Sequence, residues 1–259
     1  MVDPFLRGLW VDQIGRRTIA DMVASRKKAG ATNATIKRDL TAISRVLASC
    51  MAWDLAETNA AKDYDRSMVK ERRDPIVPPT DEAVEEMIAR CQGNFARLVR
   101  FLAQTGMRQQ EAVQLEWRQF NKASGAITLY KTKNGRPRTI TLSPAAVGTI
   151  SGTVRHLKSP FVFWQGDDGQ PYANFSSRFA LINSGQKTKA DLAFRCHDLR
   201  HRFAIKELES GRDIYDLSKH LGHSSVKVTE IYLGYVAGGV GTKSGTEATV
   251  SQQRREGVT

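Results

Sequence analysis

Basic side chains follow a helix break near the middle of the chain, at a place suited to binding an anion. Arg108 comes two residues after Gly106, and a helix that starts there would present free backbone N–H groups that also favour an anion. Glu111 lies one turn later and could orient the guanidinium group. A lone arginine in such a position is more often a surface residue, so the segment by itself leaves both interpretations open.

A second basic segment surrounds a predicted hairpin turn. Lys131, Lys133, Arg136 and Arg138 flank the dipeptide Asn134-Gly135, which strongly favours a tight turn between two strands. Such a tip can lie along a nucleic-acid groove, with Lys133 held in place by the turn. Taken by itself, the segment equally fits a charged turn exposed to solvent, which is the commoner case.

Two histidines and an arginine share one face of a predicted helix. His197 and Arg200 are three residues apart, and His197 and His201 are four apart, which is also the spacing of a helical metal pair. The glutamate of the HExxH type is absent, and the positive charge of Arg200 on the same face disfavours a cation. A metal-dependent nuclease is therefore an alternative that the sequence disfavours.

A fourth segment combines a histidine with a tyrosine. Gly222 ends one helix, Ser224 or Ser225 can cap the next, and Tyr232 is predicted two turns into that next helix. A histidine such as His223 is ordinarily a helix C-capping residue, and a tyrosine on an amphipathic helix is usually a packing residue. Neither residue would indicate a function if it stood alone.

The elements that must position these residues are mostly helical. Residues 17–26 carry apolar side chains at helical spacing, and a longer helix from Asn33 places an apolar stripe on one face. The stripe consists of Ile36, Leu40, Ile43 and Leu47. Residues 63–79 are dense in charge and end in prolines, which is typical of a linker.

The rest of the chain alternates a little β structure with helices. Thr80 is predicted to cap a helix, and residues 95–103 form another that Gly106 ends. Strands are predicted at 126–130, 138–142 and 161–164, and helices again up to about residue 235. The expected fold class is mainly α (α+β). Its domains are a helical bundle at 1–74, a larger and mostly helical domain with a small antiparallel sheet at 75–237, and a flexible tail at 238–259.

Charge and composition restrict the possible partners and compartment. The net charge of +12 and the isoelectric point near 9.8 favour a polyanionic partner such as nucleic acid. No apolar run approaches the roughly 20 residues of a membrane span, and the start of the chain has no secretory pattern. The three cysteines lie far apart. We therefore expect a cytoplasmic protein without a membrane partner.

Read in order, these residues closely resemble one family. The ordered set consists of Arg108, Lys133, His197-x-x-Arg200, Leu221-Gly222-His223 and Tyr232. It resembles the tyrosine recombinase (phage integrase) family from Thr80 to Tyr235, including the nine-residue separation of His223 from Tyr232. The motifs His-x-Leu-Arg-His and Leu-Gly-His-Ser-Ser followed by Thr229-x-x-Tyr232 carry most of the resemblance. Residues 1–74 look like the core-DNA-binding domain of that family, with a helix of the right character at 35–40.

The resemblance implies a division of chemical work. Tyr232 would attack a DNA phosphorus and form a 3′-phosphotyrosine, which conserves the bond energy for rejoining. Arg108 and Arg200 would hold the non-bridging oxygens, and Lys133 would protonate the departing 5′ oxygen. His197 would accept a proton or donate a hydrogen bond to the phosphate, and His223 would be a further donor. Tyr235 and Lys131 are the rivals of Tyr232 and Lys133, which match the family better in position.

The resemblance also implies partners and sets the alternatives. We expect a site-specific recombinase that uses no ATP, metal or other cofactor and forms a homotetramer on paired double-stranded DNA sites, while the free chain is a monomer. The alternatives are a type IB topoisomerase-like activity and a non-catalytic DNA-binding protein. Further plausible DNA contacts are Lys37, Arg38, Arg136 and Arg138. The N-terminal arm-binding domain that many members of the family carry has no counterpart in these residues, and the Gly-rich tail departs from the family pattern.

Overall fold

The structure is a computed structural model that describes residues 3–71, 75–130, 137–184 and 194–236. The chain divides into two compact units, residues 1–74 and 75–259. Both units are mainly helical, and the second contains a small antiparallel sheet, which confirms the predicted fold class. The hairpin tip with Lys131, Lys133 and Arg136 lies outside the described residues, and so does the predicted tail.

The first unit is built around one long helix. Its stripe of apolar residues is buried, as the spacing predicts, and Thr32 caps its start by accepting a hydrogen bond from the Thr35 N–H. Buried side chains of the preceding helix complete the core. The α-helices of this unit are α1 (Asp3–Leu6), α2 (Arg16–Lys28) and α3 (Asn33–Ala52), with 3-10 turns at Val11–Gln13 and Arg66–Val69.

The predicted linker is wrong over its first part. Residues 66–69 form a 3-10 turn that Asp65 caps, and Val69 is fully buried in the core of the first unit. Lys27 and Asn33 bind the carbonyl groups of Met68 and Lys70, respectively. Lys70 and Glu71, two of the charged residues that suggested a linker, are exposed at the end of this packed segment.

The second unit packs its helices around α5 (Gly93–Thr105). This amphipathic helix contacts α4 (Asp81–Arg90), α7 (Pro144–Ser151) and α9 (Cys196–Glu209) and supplies much of the core. Thr80 caps α4 as predicted, by accepting from the Ala83 N–H. The remaining α-helices are α6 (Gln109–Val113), α8 (Phe175–Ser184), α10 (Ile214–Leu221), α11 (Lys227–Glu230) and α12 (Leu233–Val236). Among the described residues, no helix has both the length and the apolar character needed to cross a membrane.

The sheet has three antiparallel strands in the order β1-β2-β3. They are β1 (Phe120–Asn121), β2 (Ala126–Leu129) and β3 (Arg138–Thr141), and Ile127 lies opposite Ile140. The hairpin β2-β3 confirms the two strands predicted around the Asn-Gly turn. The strand predicted at 161–164 is wrong, because Phe161 makes only an isolated bridge to Glu116 while Val162 and Phe163 are buried as core residues. An apolar run of four residues looks the same in a strand and in a buried loop.

A glycine brings two helices of the second unit into close contact. Gly106 ends α5 in the left-handed conformation, with φ of 59°. A Cβ at this position would lie 2.3 Å from Cδ1 of Phe203 on α9. Only glycine therefore allows the chain to turn here, and the turn directs the following residues toward α9 and α10.

Candidate active site

Arg108 is fixed at the start of α6 by the carboxylate one turn later. Glu111 accepts hydrogen bonds from the Arg108 N–H at 3.1 Å and from Nη1 at 3.2 Å, so it orients the guanidinium as its position suggested. The other nitrogen, Nη2, donates to the Gly222 carbonyl at 2.6 Å. Arg108 keeps part of its surface exposed, so it can still reach a ligand.

Arg200 occupies the buried face of α9. Its Nη1 donates to the Gly106 carbonyl at 2.8 Å, and its Nη2 donates to the Leu221 carbonyl at 2.7 Å. Burial and the charge of Arg108 lower the pKa of Arg200 to about 10. The group still carries its proton at neutral pH, and its charge has been removed from water before any ligand arrives.

The two guanidinium groups meet at the end of α10. Arg200 binds the Leu221 carbonyl and Arg108 binds the next carbonyl, that of Gly222, directly before His223. Gly222 is left-handed, with φ of 69°, and a Cβ there would lie 2.6 Å from a guanidinium nitrogen of Arg138. The Leu-Gly-His sequence thus lets three basic side chains approach one backbone turn.

His223 is held by a buried hydroxyl. Its Nδ1 is 2.8 Å from Oγ1 of Thr229, which is fully buried. Burial lowers the pKa of His223 to about 4, and the charges of Arg200 and Arg108 act in the same direction. The ring is therefore neutral at physiological pH, and a Thr229 hydroxyl that donates to Nδ1 leaves Nε2 as an N–H donor.

Arg138, one of the further DNA contacts that the sequence suggested, is bound inside the site. Its guanidinium binds both oxygens of Glu111, at 2.9 and 2.7 Å, and Nε donates to the His220 carbonyl. Both side chains are about nine-tenths buried. Burial alone would raise the pKa of Glu111, but the hydrogen bonds and charge of Arg138 outweigh it and lower the pKa.

His197 lies in the first turn of α9 with its ring exposed. Partial desolvation lowers its pKa, and the charge of Arg200 adds to the effect. Its ring lies 4.6 Å from the ring of His201 at an angle of 89°. Within the described ranges, no group of three or more histidine, cysteine or carboxylate side chains is placed to share a metal ion.

Tyr232 lies in a turn and not inside a continuous helix. The prediction of a helix running two turns to Tyr232 is wrong, because α11 ends at Glu230 and α12 begins at Leu233. The tyrosine ring is 4% exposed, and its hydroxyl lies 2.9 Å from Nδ1 of His201. Burial raises the pKa of the phenol, and the charge of Arg200 opposes that rise.

The rival tyrosine has a different role. The Tyr235 hydroxyl accepts a hydrogen bond of 2.7 Å from the Ile76 N–H, and Ile76 and Tyr235 pack against the same small apolar cluster as Tyr232. Tyr235 thus ties the start of the second unit to the segment that carries Tyr232. Both tyrosine hydroxyls thus have partners, a backbone N–H for Tyr235 and the His201 ring for Tyr232.

The structure brings five of the six predicted site residues to neighbouring positions on α6, α9 and the turns after α10 and α11. They are Arg108, His197, Arg200, His223 and Tyr232. Lys133 lies outside the described residues. Sequence reasoning treated His201 as a potential metal ligand and as the last residue of the His-x-Leu-Arg-His motif, and it missed the contact with Tyr232. The available signal was its position next to Arg200, on the helix that already carried two site residues.

Known proteins with similar sequences are integrases and recombinases. The chain is 27% identical over 221 residues to the integrase of Escherichia phage P2, covering 85% of this chain and 61% of that protein. It is 25% identical over 237 residues to tyrosine recombinase XerD of Staphylococcus haemolyticus, covering 86% and 79%, respectively. The chain thus spans less than two thirds of the phage P2 integrase.

Solved structures share the fold. A lambda integrase dimer bound to a COC′ core site aligns with a TM-score of 0.74 at 16% identity, covering 95% of this chain and 88% of that one. A Tn1549 transposon integrase in complex with a circular intermediate DNA aligns with a TM-score of 0.68 at 19% identity, covering 85% and 81%. The model of the phage integrase family matches residues 77–235, which is more than half of the chain and contains all the predicted site residues. The chain belongs to the phage integrase family.

Proposed function

We propose that this protein is a site-specific DNA recombinase that cleaves and rejoins strands through a 3′-phosphotyrosine intermediate. The observation that carries the proposal is the placement of Arg108 and Arg200 on consecutive carbonyl groups beside His223. Two permanently charged, multi-donor groups at one point form a site for the non-bridging oxygens of a phosphodiester. Family membership and the relatives named as integrases and recombinases support the same reaction.

The surplus positive charge of the site suits a pentacoordinate phosphorus. Arg108, Arg138 and Arg200 lie close enough together to lower the pKa of His223, and Glu111 is the carboxylate that binds two of them. A bound phosphate supplies the missing negative charge. The site stabilises it more strongly in the transition state, where further negative charge develops on the phosphate oxygens. His197 and His223 contribute as neutral hydrogen-bond donors, since the pKa of each is lowered.

Bond making and breaking follow from this arrangement. The Tyr232 oxygen attacks phosphorus, and the P–O5′ bond breaks as the DNA 3′ phosphate becomes attached to the tyrosine. Lys133 protonates the departing 5′ oxygen, and this role stays a prediction with Lys131 as its alternative. The 5′ hydroxyl of a second duplex then attacks the phosphotyrosine and reverses the step. The reaction as proposed is isoenergetic and requires neither ATP nor a metal ion.

A basic groove on the first unit provides a second DNA-binding surface. Lys37, Arg38 and Arg45 line it on α3, together with Thr41 and the partly charge-compensating Glu71. Arg38 and Arg45 are exposed and lie off the buried stripe of α3, so they can follow a phosphate backbone, whereas Lys37 is paired with Glu71. We propose that the unit 1–74 is a core-DNA-binding domain and that 75–237 is the catalytic domain.

Strand exchange between two duplexes requires four active sites. One solved relative is a lambda integrase tetramer bound to a Holliday junction, with a TM-score of 0.70 to this chain. We therefore propose a homotetramer on paired sites and a monomeric free chain. We also propose the cytoplasm as its compartment, because that is where a DNA substrate of this kind lies in a bacterial cell.

The proposal is tested by covalent trapping on a pool of nicked duplexes with a randomised core sequence. A nick beside the cleavage site releases the short fragment, so a recombinase accumulates an SDS-resistant protein–DNA adduct whose DNA can be sequenced. Plasmids that carry two copies of the recovered sequence should then exchange segments, with or without EDTA. A chain that only binds DNA leaves no adduct, and one that only relaxes supercoils leaves paired sites unexchanged. Loss of activity in EDTA would contradict the metal-free reaction.

A further inference from the structure

His201 is the side chain that the structure places on the hydroxyl of Tyr232. Its Nδ1 lies 2.9 Å from Oη, with the two ring centroids 5.7 Å apart. His201 follows Arg200 on α9, and that arginine binds the carbonyl groups around the phosphate site. The same helix thus carries, at adjacent positions, the arginine that we assign to the phosphate and the histidine that contacts the phenol hydroxyl.

We infer that His201 is the general base that takes the phenolic proton of Tyr232 during DNA cleavage. This inference rests on the proposed function, because it requires Tyr232 to be the nucleophile. His197, which the family resemblance suggested as a possible proton acceptor, is exposed in the first turn of α9. Among the described residues, the hydrogen-bonding partner of the Tyr232 hydroxyl is His201.

The state of the His201 ring fits an acceptor. Burial lowers the pKa of His201 to about 4, and His197 and Arg200 contribute to the lowering, whereas Asp198 opposes it. A neutral imidazole has one protonated nitrogen and one lone pair. With the proton on Nε2, which a partly exposed ring can direct to solvent, the lone pair of Nδ1 accepts the hydrogen bond from Tyr232.

The proton and electron changes balance within the site. The Oη–H bond breaks as its proton moves to Nδ1, and the oxygen electron pair forms the new bond to phosphorus. The P–O5′ bond breaks, and the 5′ oxygen takes a proton from the general acid. The imidazolium left on His201 lies near the negative charge that develops on the phosphate, which favours the transfer when DNA is bound. In the rejoining step, His201 returns the proton to Tyr232 by microscopic reversibility.

The test separates proton transfer from simple positioning. In His201→Asn, the amide oxygen can occupy the place of Nδ1 and accept the hydrogen bond, but it cannot hold a proton. We expect the single-turnover cleavage rate on a nicked duplex to fall about 100-fold, with DNA affinity unchanged. His156→Asn is the matched control, because His156 binds backbone groups of Asp167 and Lys158 elsewhere in the second unit and should leave the rate unchanged.

A more acidic phenol provides the readout that a positional role would not change. With fluorotyrosine at position 232, proton removal by solvent becomes easier, so we expect the rate of His201→Asn to recover about tenfold or more. Raising the pH from roughly 7 to 9 should likewise reduce the difference in cleavage rate between His201→Asn and the wild type. In the chain that keeps His201, the base is present, so fluorotyrosine should change the cleavage rate much less. This second measurement requires no substitution at position 201.

Three results would overturn the inference. They are a His201→Asn rate equal to that of the wild type, a faster rate, or a loss that neither fluorotyrosine nor higher pH repairs. Failure of the proposed function is distinguishable from these, because a Tyr232→Phe chain that still formed the adduct would refute the nucleophile itself. The His201 experiment assumes only that Tyr232→Phe abolishes the adduct, and this is measured first.

Discussion

Arg138 and Glu111 form a two-point ion pair, with Nη1 2.9 Å from Oε1 and Nη2 2.7 Å from Oε2. The pair joins β3 to α6, and Glu111 also binds Arg108. The carboxylate therefore compensates two guanidinium charges and fixes the one that we assign to the DNA phosphate. Positioning of Arg108 thus depends on a strand residue 30 positions further along the chain.

Glu111→Gln should destabilise the second unit strongly. Removing one partner of a buried ion pair leaves the other charge uncompensated, and the expected loss in the free energy of unfolding is about 3 kcal/mol. Glu116→Gln is a suitable control, because Glu116 pairs with Arg118, whose side chain is 77% exposed. That change should cost less than about 1 kcal/mol in a urea titration. Equal losses of unfolding free energy in the two variants would contradict the stronger stabilisation that we expect from the buried Glu111 pair.

The contribution of Glu111 should vanish in acid. Its pKa is lower in the folded chain than its ordinary value of 4.5, so its stabilising effect is complete above that value and is lost as the pH falls through the lowered pKa. The stability difference between wild type and Glu111→Gln should therefore stay constant near neutral pH and shrink on acidification below about pH 4.5. Unfolding curves at several pH values test this, and a constant difference down to strong acid would contradict it.

Gly106→Ala should disturb the site through Phe203. The added Cβ would meet the Phe203 ring at 2.3 Å, and φ of 59° is also unfavourable for alanine. Gly211→Ala is the matched control, since its φ is 86° with nothing within 4 Å of the added Cβ. We expect Gly211→Ala to lose about 1 kcal/mol and Gly106→Ala about 2 kcal/mol more. Similar losses in the two variants would show that α9 yields to the extra atom.

Thr229→Val should slow DNA cleavage without preventing folding. Valine has nearly the shape of threonine but cannot donate to Nδ1 of His223, so the ring loses its orientation. One lost hydrogen bond of this kind corresponds to about a tenfold lower cleavage rate. Thr229→Ser keeps the hydroxyl and should retain most of the rate. If serine and valine variants cleave alike, the hydroxyl does not orient His223.

Arg38→Ala should weaken DNA binding and reduce its dependence on salt. Arg38 lines the basic groove of α3, and each phosphate contact contributes about one to the slope of log affinity against log salt. Lys28, exposed at the end of α2, is the control, because Lys28→Ala removes the same charge outside the groove. Slopes measured by fluorescence anisotropy should differ between the two variants. Identical slopes would mean that α3 does not face the phosphates.

Features that depend on neighbouring residues could be predicted from the sequence. Features that depend on contacts between distant segments could not. Most of the helices, the β2-β3 hairpin and the cap at Thr80 follow from periodicity and turn chemistry. The ordered site residues could be found because their types and spacing match a known family. In contrast, Phe161 begins a buried run that is core but not strand, and no local pattern distinguishes the two.

Partners across the fold were beyond the reach of sequence reasoning. Arg138 looked like an exposed hairpin cation, but Glu111, 27 residues away, buries and neutralises it. His201 looked like half of a metal pair, but Tyr232, 31 residues away, binds its Nδ1. In both cases, the type of side chain indicated what kind of interaction it could make, and the tertiary fold determined its partner.

The covalent attachment of DNA to Tyr232 is the central claim, and mass spectrometry of the trapped adduct tests it most directly. Trypsin should release the peptide 228–243, which contains both Tyr232 and Tyr235. We predict that fragmentation places the nucleotide remnant on Tyr232, that Tyr232→Phe forms no adduct and that Tyr235→Phe still does. A remnant on Tyr235, or an adduct from the Tyr232→Phe chain, would contradict the account.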